Sequence, residues 1–213
     1  MKFDDVVIIW INELKNIKRH IHITELLHTY FPKNKNIHVN AIYENPKHNG
    51  VSMAHMIAIL KGIKTKQPFI ILEDDVNIDA SLLDILLFEN EIKKLDKLCD
   101  TVYIGLSNWG GGYEQKGEND KLLEKGALIE DINNNYFIKI KNMYGAHAIL
   151  YISIEYAIET IKYCITAICK NTPHDILTAK LMKKYNVLGL RKPWFYQDSN
   201  FNGQEKHTKI TII

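Results

Sequence analysis

The chain has 213 residues, of which 46% are hydrophobic and 24% charged, and these are ordinary values for one globular domain. Its 27 basic and 25 acidic side chains leave a net charge of +2, which gives no electrostatic case for a nucleic-acid-binding surface. The three cysteines lack the CxxC spacing of zinc sites, and no early apolar run is long enough for a signal peptide or a membrane span. We therefore expect a soluble, cytoplasmic protein with reduced thiols.

Strands and helices alternate in the first part of the sequence. The run VVIIWI (residues 6–11) is typical of a strand buried on both faces. Apolar residues at helical spacing over 16–30 predict a helix that ends near Pro32. A strand at 36–43, a helix at 52–64 and a strand at 69–72 follow. This order predicts a parallel sheet with helices on its faces, and ligands of such sheets bind beyond the carboxyl ends of the strands.

The second part is less regular. We expect a helix at 80–98 and a strand at 101–106, and then a long irregular stretch at 107–125, which is typical of a functional or disordered loop. Extended segments at 127–132 and 136–140, a strand at 147–153, helices at 154–169 and 175–184, and a strand at 186–190 complete the prediction. The fold class is therefore α/β, with a mixed sheet. The apolar end KITII indicates a domain taken from a longer protein.

An acidic cluster follows the third predicted strand in PFIILEDDVNID, where Glu73, Asp74, Asp75 and Asp79 are the acidic residues. In an extended segment Glu73 and Asp75 share one side and Asp74 faces the other. Two carboxylates about 4 Å apart repel by roughly 4 kcal/mol at an effective dielectric constant of about 20. Mg²⁺ or Mn²⁺ offsets such repulsion and also binds phosphate oxygens, which points to nucleotide-sugar chemistry. The alternative is a solvated turn, with Asp79 capping the following helix.

A family resemblance is carried by the segment VSMAHMIAILKGIKTKQPFIILEDDV (51–76). It resembles the helix, strand and Glu-Asp-Asp motif of the lipooligosaccharide-type glycosyltransferases, sugar-transferase family 25, and is similar to glycosyltransferase domains of large algal viruses. Weaker blocks in the same order are VVIIWINELKNIKRHIHITELL, TVYIGLSNWGG, MYGAHAILYIS and TPHDILTAKLMKKYNVLGLRKPWFYQD. In departure from the family, Ala54 stands where serine usually precedes the histidine.

The resemblance covers about residues 5–200 and implies a GT-A (Rossmann-like) fold, and with the length of the chain we expect a single catalytic domain over residues 1–213. It also implies a metal-dependent glycosyltransferase that uses Mn²⁺ or Mg²⁺, a nucleotide-sugar donor, most often a UDP-sugar, and a glycan or glycoprotein acceptor. We assign metal binding to Glu73, Asp75 and His207. Donor contacts are assigned to Arg19, His55, Asp74 and Asp79, and catalytic roles to Asp74 and to Asp175, which matches an acidic residue near the acceptor.

Several residues have a second interpretation. His55 could be a hydrogen-bonded core histidine, and Arg19 an exposed, solvated side chain. Asp175 or Thr172 could be a helix N-cap, and a lone histidine such as His207 often has no role. The aromatic residues of the irregular stretch, Trp109 and Tyr113, suit sugar rings or core packing equally.

Two other functions compete with glycosyl transfer. One is a non-catalytic nucleotide-binding or sugar-binding module of a larger protein. The other is a receiver-type phosphoryl-transfer enzyme, which the sequence disfavours because no acidic pair follows VVIIWI.

Overall fold

The computed structural model describes residues 1–95, 99–107, 109–110, 114–116, 122–124 and 126–201, with the backbone alone for 114–116 and 122–124. The helices are α1 (Ile17–Tyr30), α2 (Lys47–Thr65), α3 (Leu82–Lys94), α4 (Ile154–Lys170) and α5 (His174–Thr178). The strands are β1 (Val7–Asn12), β2 (Asn36–Asn40), β3 (Phe69–Glu73), β4 (Val76–Ile78), β5 (Thr101–Tyr103), β6 (Glu114–Lys116), β7 (Leu122–Glu124), β8 (Leu128–Glu130), β9 (Phe137–Asn142), β10 (Ala148–Tyr151), β11 (Val187–Leu190) and β12 (Phe195–Gln197). None of the described helices is both long enough and apolar enough to cross a membrane.

The central sheet has eight strands in the order β2-β1-β3-β10-β5-β11-β9-β8. β1 pairs in parallel with both β2 and β3, so that Ile8 lies between Asn36 and Ile70. β10 and β9 run antiparallel to their neighbours. The prediction of an α/β fold with a mostly parallel, mixed sheet flanked by helices is confirmed. The extent of the catalytic domain, residues 1–213, stays a prediction.

Both faces of the sheet are covered, and this explains the continuous apolar sequence of β1. All six residues of β1 are buried. Ile8 and Trp10 pack in the core that includes residues of α1 and α3, whereas Ile9 and Ile11 pack in the core that includes residues of α2 and α4. A strand with a core on each side has no need of polar alternation.

Two helices start at residues that differ from the prediction. α3 begins at Leu82 because Ser81 is its N-cap and exchanges hydrogen bonds with Asp84 in a capping box. The expectation that Asp79 caps this helix is therefore wrong. α2 begins at Lys47, directly after Pro46, and so starts earlier than the predicted residue 52.

A pair of short strands brings the C-terminal part of the described chain to the acidic cluster. β12 pairs antiparallel with β4, with Gln197 opposite Val76. The N–H of Asp198 then donates to the carbonyl oxygen of Asp75 at 2.7 Å. Neither strand was predicted, and a second short pair, β6 with β7, lies in the stretch expected to be irregular.

Candidate functional site

The acidic cluster lies at the carboxyl end of β3, beside the end of β1. Ile11 is the register partner of Glu73, so Asn12 and the loop after it lie next to Asp74. β3 ends at Glu73, and Asp74 and Asp75 form a turn. All three carboxylate residues line one cavity of about 210 Å³, which we call the donor cavity. It lies at the sheet edge where ligands of parallel sheets bind.

Both carboxylate oxygens of Asp74 accept hydrogen bonds from other side chains of the protein. Its Oδ1 accepts a hydrogen bond from Arg19 Nη1 at 2.7 Å, and its Oδ2 accepts one from Asn12 Nδ2 at 2.7 Å. The residue is 7% exposed. These contacts make Asp74 the residue that orients Arg19 and Asn12 at the cavity wall.

Arg19 is held from both sides. Its backbone N–H donates to the side chain of Asn16, the N-cap of α1. Its Nη1 lies 3.8 Å from Asp75 Oδ2 in addition to the bond with Asp74, and Nη2 donates to the carbonyl oxygen of Phe201. The alternative of an exposed, solvated arginine is therefore wrong. The guanidinium places a positive charge beside the carboxylates in the donor cavity.

His55 supports Glu73 from α2. Its Nε2 lies 3.0 Å from Glu73 Oε1 in a hydrogen bond, and the histidine is 2% exposed. The ring of His174 packs against it with centroids 4.6 Å apart. Burial lowers the pKa of His55 to about 4 and that of His174 to about 3, so both rings are neutral at pH 7. His55 is thus a hydrogen-bonded core histidine, and its partner is a carboxylate of the site.

The negative charge of the acidic cluster is larger than the positive charge that the protein places beside it. Burial first, and then the neighbouring Asp175 and Asp74, raise the pKa of Glu73 to about 7. Burial and the charge of Glu73 raise the pKa of Asp75 to about 7 as well. Arg19 acts in the opposite direction on both groups. The Oδ1 atom of Asp75 is buried and has no hydrogen-bond partner, so an additional cation would stabilise this arrangement.

A divalent cation fits these residues when a ligand supplies part of its coordination. Among the described residues, no group of three or more His, Cys, Asp or Glu side chains is arranged to hold a metal ion. Glu73 and Asp75 offer two carboxylates, one of them with an unpartnered oxygen. Mg²⁺ and Mn²⁺ are commonly held by one or two carboxylates together with substrate phosphates and water. His207 lies outside the described residues, and the metal assignment stays a prediction.

A larger cavity of about 460 Å³ adjoins the donor cavity, and Glu73 and Val51 line both. We call it the second cavity. Asp175 lines it from the first turn of α5. The N-cap of α5 is Pro173, without a side-chain cap, so the capping interpretation of Asp175 and Thr172 is wrong. The structure therefore places Asp175 and Glu73 in the lining of one cavity, and the role of Asp175 near an acceptor stays a prediction.

The remaining residues that the sequence singled out are Trp109, Tyr113 and Asp79. Trp109 lines the second cavity and is 52% exposed, whereas Tyr113 lies outside the described residues. Asp79 follows β4, where its N–H donates to the carbonyl oxygen of Trp194 at 2.7 Å. The described residues that line the two cavities do not include Asp79, and its contact with a donor stays a prediction.

Sequence reasoning missed three residues of the site. Asn12 is the last residue of β1, as Glu73 is the last residue of β3, and the parallel pairing of these strands was the signal that could have found it. His174 precedes Asp175 and reaches the site with it. Gln197 lines the second cavity only because β12 pairs with β4, and three-residue strands give no usable periodicity.

Comparison with known proteins leaves the family open. No model of a protein family matches the sequence, and no curated protein matches it. Among solved structures the chain is similar to CTP:phosphocholine cytidylyltransferase from Streptococcus pneumoniae, with 10% identity, coverage of 92% of this chain and 74% of that chain, and a TM-score of 0.41. A likeness this distant assigns neither a family nor an activity. The resemblance to family 25 glycosyltransferases stays a prediction.

Proposed function

We propose that the protein is a metal-dependent glycosyltransferase that transfers a sugar from a nucleotide-sugar, most often a UDP-sugar in the family it resembles, to a glycan hydroxyl. One observation carries the proposal: two adjoining cavities share Glu73, one with the acidic cluster and Arg19, the other with Asp175. Transfer of a group between two substrates requires two adjoining binding sites, so that the reacting ends of the substrates come together. Since Glu73 lines both cavities, the two substrates of this proposal would meet there.

The donor cavity has the charges that a nucleoside diphosphate requires. Arg19 and Lys47 line it and supply positive charge for the phosphates. Glu73 and Asp75 would hold Mn²⁺ or Mg²⁺. When bound, such an ion neutralises the diphosphate and the charge that develops on the departing nucleotide. A volume of about 210 Å³ is small for a whole nucleotide-sugar, so we assign the enclosed part to the diphosphate and the adjoining sugar.

The protein's own groups position the reaction. Asp74 orients Arg19 towards the diphosphate, and His55 fixes the carboxylate of Glu73 at the boundary of the cavities. Asp175 lines the second cavity, where a carboxylate can accept the proton of an attacking hydroxyl.

The experiment that tests the proposal is a calorimetric titration with UDP, in the presence of Mn²⁺ and again with a chelator. We expect binding that requires both the metal and Asp75, so Asp75→Asn abolishes it. Asp4→Asn is the matched control, because Asp4 is an exposed carboxylate paired with Lys33. Equal affinity with chelator, or in Asp75→Asn, would refute the donor site.

If UDP binds, the protein is then incubated with a panel of UDP-sugars, and glycosyl transfer and donor hydrolysis are measured. Glycosyl transfer, or slow hydrolysis of one donor, is expected for a transferase. Binding of a donor with neither reaction over long incubation would instead favour the non-catalytic binding module.

A further inference from the structure

Both polar groups of the Asn12 side chain face partners within the protein, although this residue lines the donor cavity. Its Nδ2 donates to Asp74 Oδ2 at 2.7 Å, and its Oδ1 lies 3.1 Å from Nδ1 of His20. The residue is 1% exposed. Asn12 therefore acts on the cavity through the side chains that it holds.

The carboxylate of Asp74 determines which way the amide of Asn12 points. Asp74 Oδ1 accepts a hydrogen bond from Arg19, so both oxygens of this carboxylate serve as acceptors. The Nδ2 end of the Asn12 amide is the end that can donate to Oδ2. An amide turned by half a rotation would place its own oxygen against the carboxylate. The Oδ1 end of Asn12 is consequently directed at His20.

The orientation of this amide in turn determines where the ring of His20 carries its proton. Asn12 Oδ1 is an acceptor, so Nδ1 of His20 must be an N–H donor. In the neutral ring this is the tautomer with the hydrogen on Nδ1, and the charged ring has the same N–H. The ring also packs against Trp10, with centroids 5.3 Å apart. His20 thus begins a chain of hydrogen bonds that runs from α1 through Asn12 to the acidic cluster.

We propose that His20 is a positioning residue of the donor cavity: its Nδ1–H fixes the amide of Asn12, which with Arg19 fixes the carboxylate of Asp74. The described residues that line the two cavities do not include His20, so it acts through Asn12. Without this N–H, Asn12 Oδ1 would be a buried acceptor without a partner, which is costly and leaves the amide able to rotate away from Asp74. The effect on nucleotide binding rests on the proposed function, whereas the hydrogen-bond chain rests on the contacts alone.

Two substitutions separate the hydrogen bond of His20 from the packing of its ring. His20→Asn keeps an N–H donor, because the amide nitrogen of asparagine takes the place of Nδ1, but it loses the ring. His20→Phe keeps a ring against Trp10 and has no donor. His28→Phe is the matched control, because His28 is an exposed histidine of the same helix.

Calorimetric titration with UDP and Mn²⁺ gives the first readout. We expect His20→Phe to weaken binding about threefold or more, the scale of one lost hydrogen bond. His20→Asn should weaken it by less than about twofold, and His28→Phe should bind as the unaltered protein does. The proposal is overturned if His20→Phe binds UDP as well as the unaltered protein, or if His20→Asn is the weaker binder of the two.

NMR of the protein without ligand gives the second readout. Long-range ¹H–¹⁵N spectra should show the hydrogen of the neutral His20 ring on Nδ1. The side-chain amide signal of Asn12, identified by its loss in Asn12→Ala, should keep its position in His20→Asn and shift in His20→Phe. A hydrogen on Nε2 alone, or an unshifted amide signal in His20→Phe, would contradict the positioning role.

The two readouts let this inference and the proposed function fail separately. If the unaltered protein binds no UDP, the donor site is rejected, and the NMR signals decide whether His20 fixes Asn12. If UDP binds equally well to the unaltered protein and to His20→Phe, the donor site stands and the positioning role of His20 is rejected.

Discussion

The contact between Arg19 and Asp74 determines the geometry of the donor cavity, and a double-mutant cycle can measure it. The two groups lie 2.7 Å apart, with side chains 22% and 10% exposed. Removing one partner of a fully buried ion pair costs about 3–5 kcal/mol, because the other charge stays buried and uncompensated. For this partly accessible pair we expect Arg19→Ala to lower the free energy of unfolding by about 2 kcal/mol.

The double variant should recover part of that loss. In Arg19→Ala the carboxylate of Asp74 is left without its charged partner, and Asp74→Asn removes that carboxylate. We therefore expect a coupling free energy of about 1 kcal/mol or more. Urea unfolding of the four proteins at neutral pH, followed by circular dichroism, gives the values. The pair of Lys33 and Asp4 is the matched control, with a separation of 3.6 Å and side chains 77% and 60% exposed. Exposed pairs of this kind couple by less than about 0.5 kcal/mol.

A functional measurement belongs to the same cycle. In the proposed function Asp74 acts on the donor through Arg19. Asp74→Asn should then weaken UDP binding when Arg19 is present and have little further effect when Arg19 is replaced by alanine. The reasoning is refuted if the pair couples no more strongly than the surface control. It is also refuted if the two substitutions weaken UDP binding independently.

Three further predictions concern the packing, the thiols and the pH dependence. A Cβ at Gly50 would lie 2.0 Å from the carbonyl oxygen of Ile42, which lines the donor cavity. Gly50→Ala should therefore lower stability by about 1–3 kcal/mol and weaken UDP binding, and the stabilisation usual for this change in a helix would contradict the packing. Cys169 is exposed, whereas burial raises the pKa of two thiols to about 12, those of Cys99 and Cys164. Ellman's reagent should accordingly modify one thiol in the folded protein and three in denaturant. The pKa of Asp75, about 7 in the fold, lies above its ordinary value, so the folded state keeps this proton to higher pH and stability falls as the pH rises from about 4 to about 7. Glu73, whose pKa is also raised to about 7, contributes a fall of the same sign. Asp75→Asn, with chelator present, should therefore show a smaller fall than the unaltered protein and be more stable than it by about 1–3 kcal/mol near pH 7, and a variant that is less stable at that pH would contradict the expectation.

The sequence predicted the part of the site that depends on neighbouring elements. β1, β2 and β3 are consecutive strands joined by helices, so their parallel pairing follows from chain order. Because Glu73 ends a continuous apolar run, the sequence also predicted that the acids lie at a carboxyl edge of the sheet. Both of these results depend on local pattern and on one general rule of α/β sheets.

The sequence could not predict contacts between distant segments. Arg19 looked solvated because its partner Asp74 lies 55 residues away in the chain. The segment that ends at Phe201 reaches Arg19 only through the pairing of β12 with β4. The candidate helix caps also failed, because a capping box at Ser81 replaces Asp79 at the start of α3. Pro173 is the N-cap of α5 in place of Thr172 or Asp175.

In the proposed function, a bound ligand completes the charge balance of the donor cavity. Asp74 has its partners within the protein, whereas Asp75 has a buried oxygen without one, and Glu73 has a neutral histidine. The fold therefore neutralises the acid that orients Arg19, but it gives Glu73 an uncharged partner and leaves one oxygen of Asp75 without a partner. A site that served only stability would pair these acids or replace them, since an unbalanced buried charge lowers the free energy of unfolding. Such a cost is expected where electrostatic strain prepares a site to bind a cation and its phosphate ligand.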